Sequence, residues 1–482
     1  MLKLYRPIFY VCGVLALVMA GLMLIPTLYA WLTDDPELKP FLLSTELTAL
    51  GGLLLVLLFR SSNFALSSRQ LYLLTSCSWL LLSFAGSVPL MLIHHPLPLA
   101  DAVFEAVSGI TTTGSTVLSG LSSLPESILL WRSLLQWVGG LGVIGMAVSI
   151  LPFLRVGGMR LFQTESSDWS EKSLPRFHAL ARSLLATYLL ITLLCASSYW
   201  LAGMTLFDAI NHAMTTVSTG GYATDDSSMG RFSADILWIA TLFMLLGGMP
   251  FTLFIRFLLQ RSAKSLSDDQ VKGFIAIVFC LVALLSAYLI QVKEIAPFEA
   301  VTHAAFNIAS VITTTGYAST DYTLWGQFSI ALFFIVTFIG GCSGSTSGGM
   351  KIFRFQLSFL FLRDQFRQLV HPRGVFSIRY NGKVVQEDII SSAVAFSFMF
   401  FVVLAITTLM LAALGVDFVT SFTGAATALT NVGPGLGEII GPAGNFAPLP
   451  GAAKWILSFV MILGRLELLT VIVLFSSVFW RG

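Results

Sequence analysis

Long apolar stretches separated by short polar segments run through the whole chain. Nine of them are mainly apolar and have about the 20 residues that a helix needs to cross a bilayer. They are 8–31, 41–59, 71–93, 128–152, 184–203, 236–258, 273–291, 393–415 and 455–479. A tenth stretch, 328–362, is apolar at both ends and broken in the middle. The pattern predicts an all-α polytopic membrane protein with ten transmembrane spans.

The last eight spans form four pairs, and each pair encloses the same polar signal. This signal is a helical stretch too short to cross a membrane, followed by a run of small residues that ends in glycine. The four runs are Thr111-Thr112-Thr113-Gly114, Ser218-Thr219-Gly220-Gly221, Thr313-Thr314-Thr315-Gly316 and Thr430-Asn431-Val432-Gly433. Each run is preceded by a hydroxyl residue six positions before its glycine, at Ser108, Thr215, Ser310 and Thr427.

This internal repeat predicts four pseudo-symmetric units of span, pore helix, filter and span behind two leading helices. Residues 1–60 form the leading helices. The units are 71–155, 180–260, 270–362 with its broken second span, and 391–482, with a basic cytoplasmic segment at 363–390 before the last one. A short helix that returns through an extended strand leaves backbone groups unpaired at membrane depth, which is tolerated only beside protein or a water-filled path. Four such units therefore predict one central pore.

The four runs have the composition of a cation filter. Short runs that end in glycine can turn several carbonyls in one direction, and four runs on one axis would form a cage of oxygens. Carbonyl and hydroxyl oxygens carry no net charge and suit a monovalent cation that must leave again. No Asp or Glu lies in the runs, which disfavours a tight divalent site. The alternative is that Thr and Gly only allow close helix packing, but the fourfold recurrence favours a filter.

The runs differ from one another, so the filter is predicted to select ions only moderately. The residue before the last glycine is Thr113, Gly220, Thr315 or Val432. Nine positions before that glycine, in the short helices, stand Glu105, His212, Asn307 and Gly424. We expect the first three to pack and to form hydrogen bonds behind the filter.

The second span of each pair contains a further row of small residues. Glycine pairs occur at Gly139-Gly140, Gly247-Gly248 and Gly340-Gly341, and the fourth unit has Gly464-Arg465 instead. A charge inside a membrane is expensive and normally faces an aqueous interior or a partner. Arg465 is therefore predicted either to line the path as a barrier to cations or to form a buried ion pair with Glu467 or another acid.

The broken span contains nine consecutive residues of only Gly, Ser, Thr and Cys. They are Gly341, Cys342, Ser343, Gly344, Ser345, Thr346, Ser347, Gly348 and Gly349. Such a stretch holds a regular helix poorly, and its backbone cannot face lipid. The alternatives are a static kink and a mobile loop that blocks the path just inside the filter. We favour the loop, which would act as a gate.

Composition agrees with a protein embedded in a lipid bilayer. Hydrophobic residues make up 56% of the chain and charged residues only 11%, against roughly a quarter charged in soluble domains. Most of the 27 Lys and Arg lie on one side of the predicted spans, which places the N-terminus in the cytoplasm. The net charge of +2 gives no reason to expect nucleic acid as a partner. The segment 363–390 is either a solvated loop or a docking surface for a cytoplasmic partner.

The motifs together resemble one family. The two leading spans, the Thr-Thr-Thr-Gly and Thr-Asn-Val-Gly-Pro-Gly runs, the stretch from Gly340 to Lys351 and Gly464-Arg-Leu-Glu-Leu-Leu are similar to the TrkH/TrkG/TrkI potassium-uptake proteins of bacteria, within the superfamily that includes KtrB. The resemblance covers essentially the whole chain. It implies a homodimer in the bacterial inner membrane, with one pore in each protomer. It also implies a regulatory partner, a cytoplasmic nucleotide-binding ring called TrkA.

The resemblance further implies roles for individual residues. Potassium, the transported ion, is bound by the carbonyls of the filter runs at Thr111–Gly114, Ser218–Gly221, Thr313–Gly316 and Thr430–Gly433. The loop Gly341–Gly349 acts as a gate, and Arg465 constricts the pore. No covalent cofactor is implied, and the nucleotide belongs to the partner. The second run departs from the Thr-Thr-Thr-Gly form, which leaves the selectivity of potassium over sodium open.

Two transport hypotheses remain, and an enzyme is disfavoured. The leading hypothesis is a gated, passive potassium pathway; the alternative is a secondary transporter, such as a symporter, that couples potassium to sodium or protons. Coupled transporters usually have inverted halves and an intramembrane acid, whereas these repeats are parallel and show no obvious proton carrier. The sequence has neither a Gly-x-x-x-x-Gly-Lys-Ser/Thr loop nor a His-Glu-x-x-His motif, so catalysis is not expected.

Overall fold

The computed structural model describes residues 2–61, 66–149, 174–260, 268–374 and 376–481. Its helices are α1 (Leu2–Leu32), α2 (Leu38–Leu58), α3 (Ser68–Leu92), α4 (Leu99–Ile110), α5 (Glu126–Ser149), α6 (Leu174–Leu201), α7 (Leu206–Val217), α8 (Ala234–Gly247), α9 (Phe251–Gln260), α10 (Asp269–Val292), α11 (Pro297–Ile312), α12 (Gln327–Thr337), α13 (Ile352–Val370), α14 (Glu387–Ala413), α15 (Phe418–Thr430), α16 (Gly451–Arg465), α17 (Leu469–Ile472) and α18 (Ser477–Arg481). Short 3-10 helices cover Leu121–Ser123, Tyr322–Trp325 and Val473–Phe475.

Strands are rare in the described part of the chain. They are β1 (Ile339–Gly340), β2 (Met350–Lys351), β3 (Arg379–Tyr380) and β4 (Lys383–Val384). The first two pair in parallel around the Gly/Ser loop, and the last two form an antiparallel hairpin. In its turn Asn381 and Gly382 have φ of +48° and +76°, the left-handed geometry that an Asn-Gly hairpin favours. Because each described strand has only two residues and helices form most of the rest, the predicted all-α class is confirmed.

The apolar helices make the chain a multi-pass membrane protein. Seven described helices, α1, α2, α3, α5, α6, α10 and α14, are long and apolar enough to cross a membrane. Two further spans are bent pairs, α8 with α9 and α16 with the segment that begins at α17, which gives up to nine spans among the described residues. The predicted tenth span begins with the short helix α12. The predicted end of the fourth span, at 150–152, lies outside the described residues.

Two spans that the apolar pattern predicted as continuous are sharply bent, so this prediction was wrong. Residues 236–258 turn by 93° and residues 455–479 by 107°. At the first bend Pro250 has no N–H to donate to a continuing helix. At the second, Glu467 has a φ of +58°, a left-handed conformation that ends a right-handed helix. The break predicted within 328–362 is confirmed, because the loop lies between α12 and α13.

Four short helices, α4, α7, α11 and α15, lie in the interior of the fold. They have 12, 12, 16 and 13 residues, which at about 1.5 Å per residue is too short to cross a hydrocarbon core of roughly 30 Å. Most of their residues are buried. Two of them begin with side-chain caps, since Thr205 and Asp417 accept hydrogen bonds from the amides of Asp208 and Thr420. These are the short helices that the sequence predicted before each hydroxyl run.

The contacts of the short helices follow a cyclic order. Helix α4 contacts α3 and α5 and also α16, whereas α7 contacts α6 and α8 and also α5. Helix α11 contacts α10 and α12 and also α8, and α15 contacts α14 and α16 and also α12. Each of these four helices therefore packs against the helices before and after it in its own unit and against the second helix of the preceding unit. The boundaries of the four units stay predictions.

The leading helices α1 and α2 form a tight pair beside this assembly. A Cβ built on Gly13 would lie 2.8 Å from the Cβ of Leu55 and 2.9 Å from the carbonyl oxygen of Gly52. Glycine is therefore needed at this crossing, as in other close helix contacts in membranes. Helix α1 also contacts α3 and α5, so the pair packs against the first unit.

Candidate functional site

The four glycines that end the hydroxyl runs meet in a closed ring. Each has a positive φ, 86° at Gly114, 80° at Gly221, 82° at Gly316 and 109° at Gly433. A Cβ on any of them would press on a carbonyl oxygen of the next run. The contacting pairs are Gly114 with Gly220, Gly221 with Thr315, Gly316 with Val432, and Gly433 with Thr113. The structure thus brings all four runs together, in the order of the chain and back to the first.

The backbone of each run alternates between right-handed and left-handed conformations. Two positions before the glycine, φ is 51° at Thr112, 51° at Thr219, 57° at Thr314 and 56° at Asn431. A positive φ is strained for a β-branched residue and costs on the order of 1–3 kcal/mol. The alternation rotates successive peptide planes so that their carbonyls share one side. The strain is thus the consequence of a row of oxygens facing one path.

The same backbone hydrogen bond fixes every run. The amide just before the last glycine donates to the carbonyl five residues earlier, within the short helix. These bonds are Thr113 N to Ser108 O at 2.8 Å, Gly220 N to Thr215 O at 2.8 Å, Thr315 N to Ser310 O at 2.8 Å and Val432 N to Thr427 O at 3.1 Å. The row of hydroxyl residues noted in the sequence therefore serves all four runs through its carbonyls, and the hydroxyl of Ser310 also donates to the carbonyl of Tyr317 at 2.6 Å.

In two units, a side chain of the short helix accepts a hydrogen bond from the extended segment that follows the ring glycine. Glu105 accepts a hydrogen bond from the amide of Val117 at 2.9 Å, and Asn307 accepts one from the amide of Ser319 at 3.2 Å. Both bonds reach the residue three positions after the glycine, and both helix residues are fully buried. The role expected for Glu105 and Asn307 is therefore confirmed.

The other two short helices do not form this bond from the same position. The third expected residue, His212, packs its ring against Tyr317 at 6.1 Å between centroids, and its Nδ1 lies 2.9 Å from the carbonyl oxygen of Asp208. In the fourth unit Gly424 has no side chain, and its neighbour Thr423 accepts from the amide of Leu436 at 3.1 Å. Spacing in the sequence could not predict Thr423, because it stands one position away from the row of Glu105 and Asn307.

A buried ion pair links the first and second runs. Arg132 on α5 donates through Nε to Glu105 at 2.8 Å, and both side chains are almost completely buried. The guanidinium also lies 4.0 Å from the centre of the Tyr222 ring and donates to the carbonyl of Ala223 at 3.3 Å. A buried ion pair is stable only when its remaining polar groups find partners, and these contacts supply them.

A cavity of about 260 Å³ lies directly above the ring, on the side away from the Gly/Ser loop. The four ring glycines line it together with Tyr222, Pro434, Asp225 and Asp226. The Ser227 hydroxyl donates to Asp225 at 2.6 Å and lowers the pKa of that carboxyl. Ionised carboxylates beside a narrow opening raise the local concentration of cations.

The inner end is much tighter. A cavity of about 20 Å³ lies between the Gly/Ser loop and α16, which is room for about one water molecule. Its lining includes Ser345, Ser347, Gly348, Lys351, Arg465 and Glu467. Little room for an ion therefore lies between the loop and α16.

Arg465 is buried beside this cavity without a counter-charge. It is 3% exposed, and none of its three side-chain nitrogens has a hydrogen-bond partner within the described ranges. Glu467, the acid considered as its partner, pairs instead with Arg354 at 2.5 Å. The predicted alternative of an Arg465–Glu467 ion pair is therefore wrong. A buried charge kept without a partner is costly and marks a functional position.

The Gly/Ser loop Gly341–Gly349 is held directly beneath the second and third runs. The amide of Gly348 donates to the hydroxyl of Thr314 at 2.6 Å, and the hydroxyl of Thr346 donates to the carbonyl of Val217 at 3.0 Å. The amide of Cys342 donates to the carbonyl of Gly248 at 2.8 Å. These are polar contacts to neighbouring backbone and hydroxyl groups. The loop is thus held by hydrogen bonds and by its burial beneath the runs.

The glycine row in the second spans mainly allows close packing. A Cβ on Gly139 or Gly464 would overlap the carbonyl of Ile110 or Leu429, at the end of the short helix of the same unit. A Cβ on Gly248 would lie 3.0 Å from Thr313, in the next run. Of this row, Gly464 and Arg465 line the inner cavity. The glycines bring the long helices against the runs.

Known proteins of one family are similar to this chain along its whole length. The family model TrkH, described as "Cation transport protein", matches residues 46–481. The Trk system potassium uptake protein TrkI of Halomonas elongata is 49% identical over 483 residues, which cover 100% of this chain and 98% of that protein. TrkH of Escherichia coli K12 is 36% identical over 483 residues, 99% of either chain. The crystal structure of the potassium transporter TrkH from Vibrio parahaemolyticus matches with a TM-score of 0.91 and 35% identity over 99% of this chain and 100% of that one.

The substitution Glu105→Ala tests the support behind the ring. It leaves the Arg132 guanidinium buried without its partner, which typically costs about 3–5 kcal/mol. We expect a clearly lower melting temperature of the purified protein in detergent. Glu438→Ala, in an exposed outer segment, is the matched control and should change little. Equal melting temperatures for the two variants would contradict the role assigned to the ion pair.

Proposed function

Because the chain belongs to the TrkH family of cation transport proteins, we propose that it carries potassium ions into the bacterial cell through a gated, channel-like pore in the inner membrane. The observation that supports this most directly is the closed ring of glycines and carbonyls. Four runs of uncharged oxygens surround one axis between an outer cavity and a closed inner end. The ring is the selectivity filter of the proposal.

The filter would replace the water around a potassium ion with backbone carbonyl oxygens. Carbonyls carry partial charge only, so the ion is bound firmly enough to enter and weakly enough to leave. The sites are the four runs, and potassium is the substrate rather than a resident cofactor. Val432 and Gly220 have no hydroxyl where Thr113 and Thr315 have one. This asymmetry supports moderate rather than strict selectivity.

The charges of the described residues favour passive flux over coupled transport. A symporter that uses protons needs an acid that can take up and release them in the path. The buried acids of the described ranges are Glu37, Glu105, Asp364 and Glu467. Each lies within 3.5 Å of a basic side chain. A carboxylate held in this way is a poor proton carrier.

Gating is assigned to the loop Gly341–Gly349 together with Arg465. Arginine keeps its charge at any physiological pH, and Arg354 already neutralises the one acid that lines the inner cavity. A potassium ion below the filter would meet the uncompensated charge of Arg465. The loop narrows the same place sterically. Opening requires the loop to leave its bonds to Thr314 and Gly248.

Regulation is assigned to a cytoplasmic, nucleotide-binding partner of the TrkA type, and the N-terminus to the cytoplasmic side. The hairpin β3–β4 supports this assignment because it is connected to the loop. Asn381 and Asp269 exchange two hydrogen bonds of 2.8 Å, each from the backbone amide of one to the side chain of the other. The next residue, Gln270, accepts a bond from the amide of Ser343 at 2.7 Å. A partner that moves the hairpin would therefore also shift the loop through these hydrogen bonds.

Family membership also supports a homodimer with one pore in each protomer. Light scattering of the purified protein in detergent should show two copies per particle. A monomeric mass under conditions that preserve transport would contradict this assignment.

Rubidium uptake into liposomes under an imposed voltage tests the transport mechanism. We expect rubidium flux to follow the electrochemical gradient alone. Potassium should inhibit this flux by competition more strongly than sodium does. Gly316→Asp should disrupt the filter. Any side chain there overlaps the carbonyl of Val432, and the new carboxylate would lie on the axis of the ring. It should lose selective flux. Uphill accumulation driven by a sodium or proton gradient would support coupled transport instead.

The substitution Arg465→Ala tests the inner barrier. Removing the unpaired guanidinium lowers the electrostatic cost for a cation below the filter, so we expect higher rubidium flux in the same liposomes. Arg363→Ala, with a half-exposed side chain, is the matched control and should leave flux unchanged. Flux that stays equal or falls in a folded Arg465→Ala protein would mean that the residue is structural.

The substitution Asn381→Gly tests the connection from the hairpin to the loop. Glycine keeps the left-handed turn but removes the side-chain bond to the amide of Asp269 and the 3.0 Å bond to Asp268. We expect flux to respond less to the partner and its nucleotide, with ion preference unchanged. Lys383→Ala, in the exposed part of the same hairpin, is the control. An undiminished response in Asn381→Gly would rule out this connection.

A further inference from the structure

The second run lacks a side chain at a position where two other runs are held together by hydroxyls. In the first run the hydroxyl of Thr113 lies 2.7 Å from that of Thr111. In the third run the hydroxyl of Thr315 lies 2.8 Å from that of Thr313. Gly220 occupies the matching position of the second run and has no such bond. Glycine is also the residue with the greatest backbone freedom.

A glutamine from the preceding unit fills this space. Gln136 on α5 is fully buried, and its Nε2 donates to the carbonyl of Gly220 at 2.6 Å. Its Oε1 accepts from the amide of Tyr222 at 3.0 Å. One side-chain amide thus bridges the backbone on both sides of the ring glycine Gly221. A Cβ on Gly220 would overlap the amide group of Gln136, so each residue requires the other.

The equivalent positions of the other units carry no such amide. Gln136 stands four residues before the second member of its glycine pair, and the same spacing gives Met244, Thr337 and Met461. The hydroxyl of Thr337 donates within its own helix, to Phe333 at 2.8 Å. Methionine has no strong hydrogen-bond donor. The side-chain amide of Gln136 therefore supports the second run only and is not shared by the other three runs.

We propose that Gln136 is a positioning residue that sets the direction of the Gly220 carbonyl and thereby the ion preference of the filter. The Gly220 carbonyl is the oxygen that faces Gly114 in the ring, so its direction fixes the distance between the first and second runs. Without the bridge, glycine lets this peptide rotate, and the oxygen cage loses its shape on one side. The proposal rests on the proposed function, since it concerns selection among monovalent cations.

The test is Gln136→Met, the residue found at two of the equivalent positions. It removes both hydrogen bonds with little change in volume. We expect the preference for potassium over sodium, measured by competition with rubidium uptake in liposomes, to fall about fivefold. An unchanged ratio in a variant that transports would overturn the proposal.

A double substitution separates positioning from plain packing. Gly220→Thr alone should damage transport, because its side chain overlaps Gln136. Combined with Gln136→Ala, it provides space and a hydroxyl that can reach Ser218, as Thr113 reaches Thr111. We expect the double variant to recover preference above that of either single variant. Recovery no better than the singles would overturn the proposal.

The flux of the unmodified protein shows whether a negative result concerns the role of Gln136 or the proposed function. If the unmodified protein shows no potassium-selective flux, the proposed function fails and the filter assignment falls with it. If it is selective and Gln136→Met keeps the same preference, only the role of Gln136 fails. Melting temperatures in detergent, compared for all variants, identify any that have lost the fold.

Discussion

The structure depends on one close approach, repeated around a ring, between a glycine of each run and a carbonyl oxygen of the next. The approach leaves no room for a Cβ, and it requires the left-handed φ that glycine adopts without strain. Each short helix ends at the ring, and each amide before the glycine donates back into that helix. The side chains behind the strand, such as Glu105 and Asn307, fix the same geometry from the other side.

The strain in the runs explains why so much hydrogen bonding surrounds them. Thr112, Thr219 and Thr314 hold left-handed conformations that β-branched residues avoid. Such conformations persist only where neighbouring structure determines them fully. In the fourth run the residue is Asn431, a type that tolerates this conformation better, and its amide also donates to Thr113 at 2.9 Å. The last run is thereby tied to the first, which helps to close the ring.

The sequence predicted the features that lie within short stretches, and it missed those that join distant ones. The glycine runs, the short helices and the broken third unit were visible because local composition changes there. The bends at Pro250 and Glu467 were not, since apolar residues continue on both sides of each. Gln136 with Gly220 and Arg354 with Glu467 are contacts between residues more than 80 apart. Hydropathy and spacing contain no information about such pairs.

In the proposed mechanism, control of the ion path depends on the charges and contacts at its two ends. Asp226 and Asp225, of which the second also pairs with Arg231 at 3.4 Å, line the cavity above the ring and would favour cations there. At the inner end of the proposed path, the unpaired charge of Arg465 would repel cations, and the loop would narrow their exit. In the proposed mechanism, the path opens when the loop leaves its hydrogen bonds to Thr314 and Gly248. The proposed mechanism therefore assigns control of flux to the loop and ion selection to the strained runs above it.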